Sequence, residues 1–267
     1  MNLERIKTVG TGAAYKGGEV LRSFLGNIGA PGHKGAIDLV TEADIASERI
    51  IIETIHKVFP DHAILAEESG DNGKNSDCRW VIDPLDGTTN FTHQLGQFAV
   101  SIAFEREGIV EVGIVLNPVS GELFTAVRGE GAYLNGKAIH VSRTLKVLDS
   151  LLVTGFPYQL KEVMADVMPR FSICQQASQG VRRFGAASLD LCFVACGRFD
   201  GFWEQNLKPW DTAAGFRVAQ EAGACITDFS NMDFSIHNPE LLATNGCIHA
   251  EMLELLNRHK KKSDVSF

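Results

Sequence analysis

Apolar residues repeat every three or four positions over the beginning of the chain. Between residues 3 and 25 these positions are Leu3, Ile6, Val9, Ala13, Val20, Leu21 and Phe24. An amphipathic helix presents one apolar face at this spacing. We therefore predict a helix over about residues 3–25 that covers one side of the core.

A second helix is predicted to begin after Thr41. Residues 41–44, read as TEAD, combine a capping hydroxyl with acids in the first turn, which is typical of a helix N-terminus. Its expected apolar face consists of Ile45, Ile52, Ile55 and Val58. Pro60 is expected to end the helix, because proline lacks the amide that a helix needs.

The pattern changes to short strands from about residue 98. Strands are predicted at 98–104, 110–116, 122–128 and 137–141, with turns between them that contain glycine. After about residue 149 strands and helices alternate. Strands are predicted at 151–154, 199–204, 225–228 and 241–244, and helices at 162–175, 188–196, 211–222 and from 248. The chain thus reads as one α+β domain over 1–267, with an α+β half over about 1–148 and an α/β-like half over about 149–267.

Two carboxylates follow a short apolar run at residues 79–91, read as RWVIDPLDGTTNF. The run at 80–82 is typical of a buried strand, which would place Asp83 at its end. Pro84 biases Asp83 away from helical geometry, so the chain turns and aims Asp83 and Asp86 into one space. Thr88 and Thr89 are predicted to cap a helix whose free amides face an anion.

Neighbouring acids repel unless a cation lies between them, and carboxylates are ligands that Mg2+ prefers. The stretch therefore indicates a phosphate ester bound through metal, although an Asx-type turn with two solvated acids is the alternative. Glu67 and Glu68 also follow a strand predicted at 62–66, so neighbouring strand ends would bring them to Asp83. Asp211 fits a helix cap and a metal ligand equally well.

Composition excludes several classes of function. The 267 residues carry a net charge of -8, which disfavours nucleic acid and anionic membranes as partners. No apolar run approaches the roughly 20 residues of a membrane span, so we expect a cytoplasmic protein. The six cysteines have no Cys-x-x-Cys spacing and the eight histidines no zinc motif, so reduced thiols are expected.

Five motifs together resemble the inositol monophosphatase family, the Mg2+-dependent, lithium-sensitive sugar phosphatases. They are KGAIDLVTEAD at 34–44, EES at 67–69, WVIDPLDGTTNF at 80–91, Gly-Ala-Ala at 185–187 and E-x6-D at 204–211. The resemblance implies a layered α-β-α-β-α sandwich, a small phosphate ester as substrate, two to three Mg2+ ions per subunit and a homodimer.

The resemblance also assigns roles to individual residues. It implies that the metal ligands are Glu67, Asp83, the Leu85 carbonyl, Asp86 and Asp211. It implies that Asp44 and Thr88, together with Glu67, activate the attacking water. The residues that it places at the substrate are Lys34, Asp86, Gly87, Thr88, Ala186, Ala187, Glu204 and Asp211. Ala186 stands where many relatives have serine or threonine, and Lys208 where animal forms have histidine, so the alcohol that is recognised stays open.

Three alternatives compete with this assignment, and the residues themselves disfavour the first. Residues 131–137, read as GAYLNGK, fit the spacing of a phosphate-binding loop, but Ala138 stands where serine or threonine is needed, and Asn135-Gly136 favours a hairpin. Within the phosphatases, a fructose-1,6-bisphosphatase or a dual enzyme is the alternative. Outside the enzymes, the alternative is a catalytically silent binding protein on the same fold.

Overall fold

The helices form where the sequence predicts them, in a computed structural model that describes residues 2–26, 32–33, 39–157 and 160–263. The helices are α1 (Leu3–Phe24), α2 (Glu42–His56), α3 (Thr88–Thr92), α4 (Leu160–Ala177), α5 (Ala187–Ala195), α6 (Pro209–Glu221) and α7 (His249–Ser263). Thr41 is the N-cap of α2, as predicted, and accepts hydrogen bonds from the amides of Ala43 and Asp44. None of the helices in the described ranges is long and apolar enough to cross a membrane.

The strands are β1 (Gly32–His33), β2 (Leu39–Val40), β3 (Ala63–Ala66), β4 (Gly70–Asp71), β5 (Cys78–Asp86), β6 (Ala99–Arg106), β7 (Ile109–Asn117), β8 (Glu122–Val127), β9 (Gly131–Leu134), β10 (Lys137–Ile139), β11 (Leu151–Thr154), β12 (Gly180–Arg182), β13 (Gly201–Gln205), β14 (Cys225–Thr227) and β15 (Glu240–Thr244). The short strands β1, β2, β4, β9 and β12 were not predicted. They carry little alternation of their own and form through their neighbours.

Two large sheets organise the molecule. An eight-stranded sheet has the order β10-β9-β8-β7-β6-β5-β3-β4, and it is antiparallel except between β3 and β5. A five-stranded sheet has the order β12-β11-β13-β15-β14, with β11 parallel to both of its neighbours. The turn between β9 and β10 contains Asn135 and Gly136, both at positive φ, which confirms the hairpin in place of a phosphate-binding loop.

The helices lie in three layers around these sheets. α1 and α2 cover one face of the eight-stranded sheet, α5 and α6 lie between the sheets, and α4 and α7 cover the outer face of the five-stranded sheet. Three apolar clusters fill the spaces between the layers: one under α1 and α2, one under α4 and α7, and one around α5 and α6 that reaches both sheets. The predicted α-β-α-β-α sandwich is confirmed. The six cysteines, which all lie in the described ranges, form no disulfide.

The expected apolar face of α2 is wrong in part. Ile45 is 58% exposed, whereas Asp44, Ser47 and Glu48 are buried beside Ile51 and Ile55. Polar residues can turn inward here because each of the three finds a hydrogen-bond partner in another segment. The spacing of apolar residues alone cannot reveal such hydrogen-bond partners.

Candidate active site

The two acids of β5 are separated by an irregularity in the strand. β5 continues past Ile82 to Asp86, further than predicted, and its register against β6 shifts between Asp83 and Asp86. Asp83, only 2% exposed, accepts a hydrogen bond at Oδ1 from the Leu85 amide at 3.0 Å. The backbone that follows Asp83 is therefore hydrogen-bonded to the Asp83 carboxylate, and this contact is buried.

Gly87, and not a threonine, caps the helix that follows. It has φ 95° and ψ 39°, the left-handed conformation that favours glycine, and no side chain caps α3. The predicted capping role of Thr88 and Thr89 is thus wrong. The Thr88 hydroxyl instead lies 3.2 Å from Asp44 Oδ1 and 3.2 Å from the Leu85 carbonyl oxygen.

Asp44 joins this group from the first turn of α2. Its Oδ2 accepts hydrogen bonds from the amide of Thr41 at 2.8 Å and from the Thr41 hydroxyl at 2.5 Å. Burial raises the pKa of Asp44, and the nearby charge of Glu67 adds to the rise, while the bonds from Thr41 and Thr88 oppose it. Asp44 is therefore fixed in position by Thr41 while its other oxygen meets Thr88.

Asp86 connects the first half of the chain to α5. Its carboxylate accepts hydrogen bonds from the amides of Ala187 at 3.2 Å and Ser188 at 2.8 Å, and from the Ser188 hydroxyl. Ala186 is the N-cap of α5 and has no side chain that could cap it. The carboxylate of Asp86 thus satisfies the free amides that an N-cap residue would otherwise satisfy.

Asp211 and Glu204 come from the second half. Asp211 lies in the first turn of α6, and its carboxylate accepts the Lys208 amide at 2.7 Å. Asp211 therefore has the helix-capping role that the sequence allows, and it has this role within the candidate site. Glu204 lies near the end of β13 against Gly155. A Cβ atom at Gly155 would be only 1.9 Å from Glu204 Oε2, so glycine is required for this close approach.

These elements surround a cavity of about 280 Å³. Five predicted site residues line it, namely Glu67, Asp86, Ala187, Glu204 and Asp211. Asp83 and Thr88 are buried next to this lining. Thr88 precedes the lining residue Thr89 in sequence, and Asp83 is close enough to Glu67, Asp86 and Asp211 for their charges to act on it. Two cations, Arg183 and Lys208, also line the cavity. Lys34, which was predicted to add charge here, lies outside the described residues.

Burial and mutual repulsion raise the pKa values of several acids at the cavity. Burial raises the pKa of Asp83 well above its usual range, and the charges of Glu67, Asp86 and Asp211 add to the rise. Burial raises the pKa of Asp86 to about 6, against the hydrogen bonds from Ser188. Burial likewise raises the pKa of Glu204 and of Asp211 to about 8. The site therefore concentrates negative charge that must be neutralised by protons or by a cation.

The donors fit a hard cation in their chemistry. Among the described residues, Asp83, Asp86 and Asp211 form no ion pair with a lysine or arginine. In the same ranges, no three His, Cys, Asp or Glu side chains converge closely enough to hold a metal ion. The three carboxylates instead accept amide hydrogen bonds, which leave further oxygen lone pairs for a cation. Oxygen donors with uncompensated charge are the set that Mg2+ prefers.

Several residues of the site were missed from the sequence. Ser188 holds Asp86, Gly155 accommodates Glu204, and Ser47 and Glu48 bind the segments beside the acids. The one available signal was spacing, since Ser47 and Glu48 lie three and four residues after Asp44 and so share its helix face.

Comparison with known proteins identifies the family. The profile of the "Inositol monophosphatase family" matches residues 2–263. The chain is 45% identical over 251 residues to the inositol-1-monophosphatase of Synechocystis sp., covering 93% of this chain and 87% of that protein. It is also 45% identical over 221 residues to "Nus factor SuhB" of Pasteurella multocida, covering 82% of this chain and 83% of that protein.

A solved structure has the same fold. The inositol monophosphatase from Anabaena (Nostoc) sp. PCC 7120 superposes with a TM-score of 0.88 at 41% identity, covering 97% of each chain. Sequence and structure thus agree over nearly the whole length. The chain belongs to the inositol monophosphatase family, and it is a phosphatase.

Proposed function

We propose that the protein is a Mg2+-dependent phosphomonoesterase that hydrolyses myo-inositol monophosphate to inositol and phosphate. The observation that supports this most is the cluster of acids at one cavity. Asp86, which is buried, and the half-buried Glu67, Glu204 and Asp211 line the cavity, and the buried Asp83 lies close enough to feel the charges of Glu67, Asp86 and Asp211. The name of the Synechocystis relative supports inositol 1-phosphate as the ester.

Glu67, Asp83, the Leu85 carbonyl, Asp86 and Asp211 would hold two to three Mg2+ ions. Bound Mg2+ would supply positive charge that stabilises the phosphoryl group during its transfer. The amides of Gly87 and Thr88 would bind phosphate oxygens, because the first amides of a helix have no partner within it. Lys34 remains a predicted source of further positive charge.

Asp44 and Thr88 would accept the proton of the attacking water. The Thr88 hydroxyl donates toward Asp44 Oδ1 at 3.2 Å, which leaves its oxygen able to accept a proton from water. The water oxygen would form the new bond to phosphorus while its proton passes through Thr88 to Asp44. The bond to the ester oxygen would break, and the leaving oxygen would take a proton from a solvent water to give the free alcohol. The raised pKa of Asp44 makes it a stronger proton acceptor than an exposed aspartate.

Glu204 would select the alcohol. It lines the cavity and is positioned against Gly155, so its carboxylate can accept hydrogen bonds from the hydroxyl groups of a polyol. The backbone around Ala186 and Ala187 would line the same region. This arrangement favours a substrate with several hydroxyl groups near its phosphate.

Fructose 1,6-bisphosphate is the second candidate substrate. Arg183 and Lys208 line the same cavity as the acids, and two cations suit a second phosphate. A Lys208→Ala variant compared on both esters tests this candidate. A preference that does not change in the variant removes the role of Lys208.

A panel of esters tests the proposed function. Phosphate release would be measured from inositol 1-phosphate, fructose 1,6-bisphosphate, a 3'-phosphonucleotide and glycerol 2-phosphate, with Mg2+ or EDTA. We expect Mg2+-dependent release, fastest from inositol 1-phosphate and inhibited by lithium. Faster release from the bisphosphate would move the assignment to the second candidate, and release in EDTA would contradict the metal requirement. A homodimer is also proposed from the family, and sedimentation velocity measures it.

A further inference from the structure

One face of α2 carries three buried polar side chains in succession. Asp44, Ser47 and Glu48 are at most 5% exposed and lie three and four residues apart, so they point the same way. α1 lies directly over them, because a Cβ atom at Gly17 would be 2.9 Å from Ser47 Oγ. Burying a polar face requires a partner for each group.

Each of the three binds a different segment of the candidate active site. Asp44 accepts the Thr88 hydroxyl at the start of α3. Ser47 donates to the carbonyl oxygen of Pro84 at 3.0 Å, between Asp83 and Asp86. This face of α2 therefore contacts both the segment of β5 that carries Asp83 and Asp86 and the start of α3.

Glu48 binds the third segment, which carries Glu67. Its Oε2 accepts the amide of Glu68 at 2.9 Å and its Oε1 accepts the amide of Ser69 at 3.0 Å. Both oxygens of one buried carboxylate are thus used on the two residues that follow Glu67. The amide of Glu67 donates to the Ile82 carbonyl at 3.1 Å, so the turn is held from β5 as well.

We propose that Glu48 is a positioning residue for the active site, which holds the turn at residues 67–69 so that the Glu67 carboxylate faces the acids of β5. The inference rests on the proposed function, since it gives Glu67 a role in holding Mg2+. A carboxylate suits this task because it accepts two amides at once, one on each oxygen. Groups that orient metal ligands affect metal affinity or activity about 10- to 100-fold when they are changed.

The test compares Glu48→Gln with Glu53→Gln. Glu53 lies on the same helix with its side chain 62% exposed, so its variant controls for the loss of one charge from α2. Glutamine at position 48 keeps the size of glutamate but accepts only one of the two amides and turns a donor toward the other. Glu48→Asp keeps the charge but is one methylene too short, and it serves if the glutamine variant does not fold.

Three quantities are measured on each protein. The first is the Mg2+ concentration for half-maximal phosphate release, the second is the rise in Tm on adding Mg2+ without substrate, and the third is the exchange rate of the Glu68 and Ser69 amides. We expect Glu48→Gln to raise the half-maximal Mg2+ concentration about 10- to 100-fold, to reduce the Mg2+-induced rise in Tm and to speed exchange at both amides. KM for the ester should change less than the response to Mg2+.

The outcomes separate this inference from the function on which it rests. If the wild type responds to Mg2+ and a folded Glu48→Gln responds as Glu53→Gln does, the inference is overturned and the proposed function stands. If the wild type shows neither Mg2+-dependent release nor a Mg2+-induced rise in Tm, the proposed function fails and the inference fails with it. Faster amide exchange with an unchanged Mg2+ response would show that Glu48 only stabilises the turn, which also overturns the inference.

Discussion

Replacing Gly155 with alanine should damage substrate recognition with little effect on stability. The added Cβ would lie 1.9 Å from Glu204 Oε2, 2.2 Å from Cδ and 2.3 Å from Oε1, whereas ordinary contacts begin at 3.4 Å. The carboxylate must therefore retreat by roughly 1.5 Å, and a misplacement of about 1 Å can cost about 100-fold in rate. The displaced atoms are the end of a flexible side chain, so the fold can adjust.

The size of the effect follows from the hydrogen bond that is lost. Above pH 8, where Glu204 is charged despite its raised pKa of about 8, a hydrogen bond from a substrate hydroxyl to its carboxylate contributes about 1.5–3 kcal/mol, which corresponds to about 10- to 150-fold in kcat/KM. We expect this loss on inositol 1-phosphate and a much smaller one on p-nitrophenyl phosphate, which has no alcohol hydroxyl that could donate a hydrogen bond to Glu204. Steady-state kinetics at saturating Mg2+ measures both.

Two further variants control this experiment. Gly12→Ala places a methyl group on α1 with nothing within 4 Å, so wild-type kinetics and a gain of about 0.5–1 kcal/mol in stability are expected. Glu204→Ala should reproduce the kinetic loss, and the double variant with Gly155→Ala should lose nothing more. Wild-type kcat/KM in Gly155→Ala, or an equal loss on both esters, would refute the positioning of Glu204 by Gly155.

Two predictions concern stability. Gly113→Ala should lower the free energy of unfolding by about 3 kcal/mol, because its Cβ would lie 2.4 Å from the Ala214 carbonyl oxygen on the backbone of α6; thermal denaturation measures this, and an unchanged Tm would contradict the packing. Asp190→Asn should raise the free energy of unfolding by about 1–3 kcal/mol at pH 8 and by almost nothing near pH 4. Both Asp190 oxygens are buried without a hydrogen-bond partner among the described residues, and burial, aided by Glu204 and Asp86, raises the pKa of Asp190 well above its usual range. The folded protein thus keeps the proton that the unfolded chain releases, so this contribution to stability is complete at low pH and is lost as pH rises toward the folded-state pKa. A Tm difference that does not vary with pH would contradict this account.

The sequence predicted those parts of the site that depend on neighbouring residues. An apolar strand that runs into Asp83-Pro84-Leu85-Asp86 indicates acids delivered to an edge of the core, and the structure has them there. Likewise, Thr41 with Asp44 forms a capping box, which is a contact over three residues.

The remainder depends on contacts between distant segments. Asp86 caps a helix that begins 101 residues later, and that partner has no local signature. Ser47 and Glu48 turn inward because they hydrogen-bond to the carbonyl of Pro84 in β5 and to amides of the turn at residues 67–69. The spacing of apolar residues instead pointed to Ile45. Gly155 was not singled out because only the fold brings Glu204 against it.

The central claim is that the buried acids around Asp83 bind Mg2+ for hydrolysis of a phosphate ester. Phosphate release from inositol 1-phosphate, measured across Mg2+ concentrations in wild type, Asp83→Asn and the exposed control Asp77→Asn, tests it most directly. We predict that EDTA abolishes release by the wild type and by Asp77→Asn. Asp83→Asn should be at least about 100-fold slower at every Mg2+ concentration while its Tm without metal does not fall, because the variant loses a buried acid. Wild-type rates in Asp83→Asn, or release that persists in EDTA, would contradict the claim.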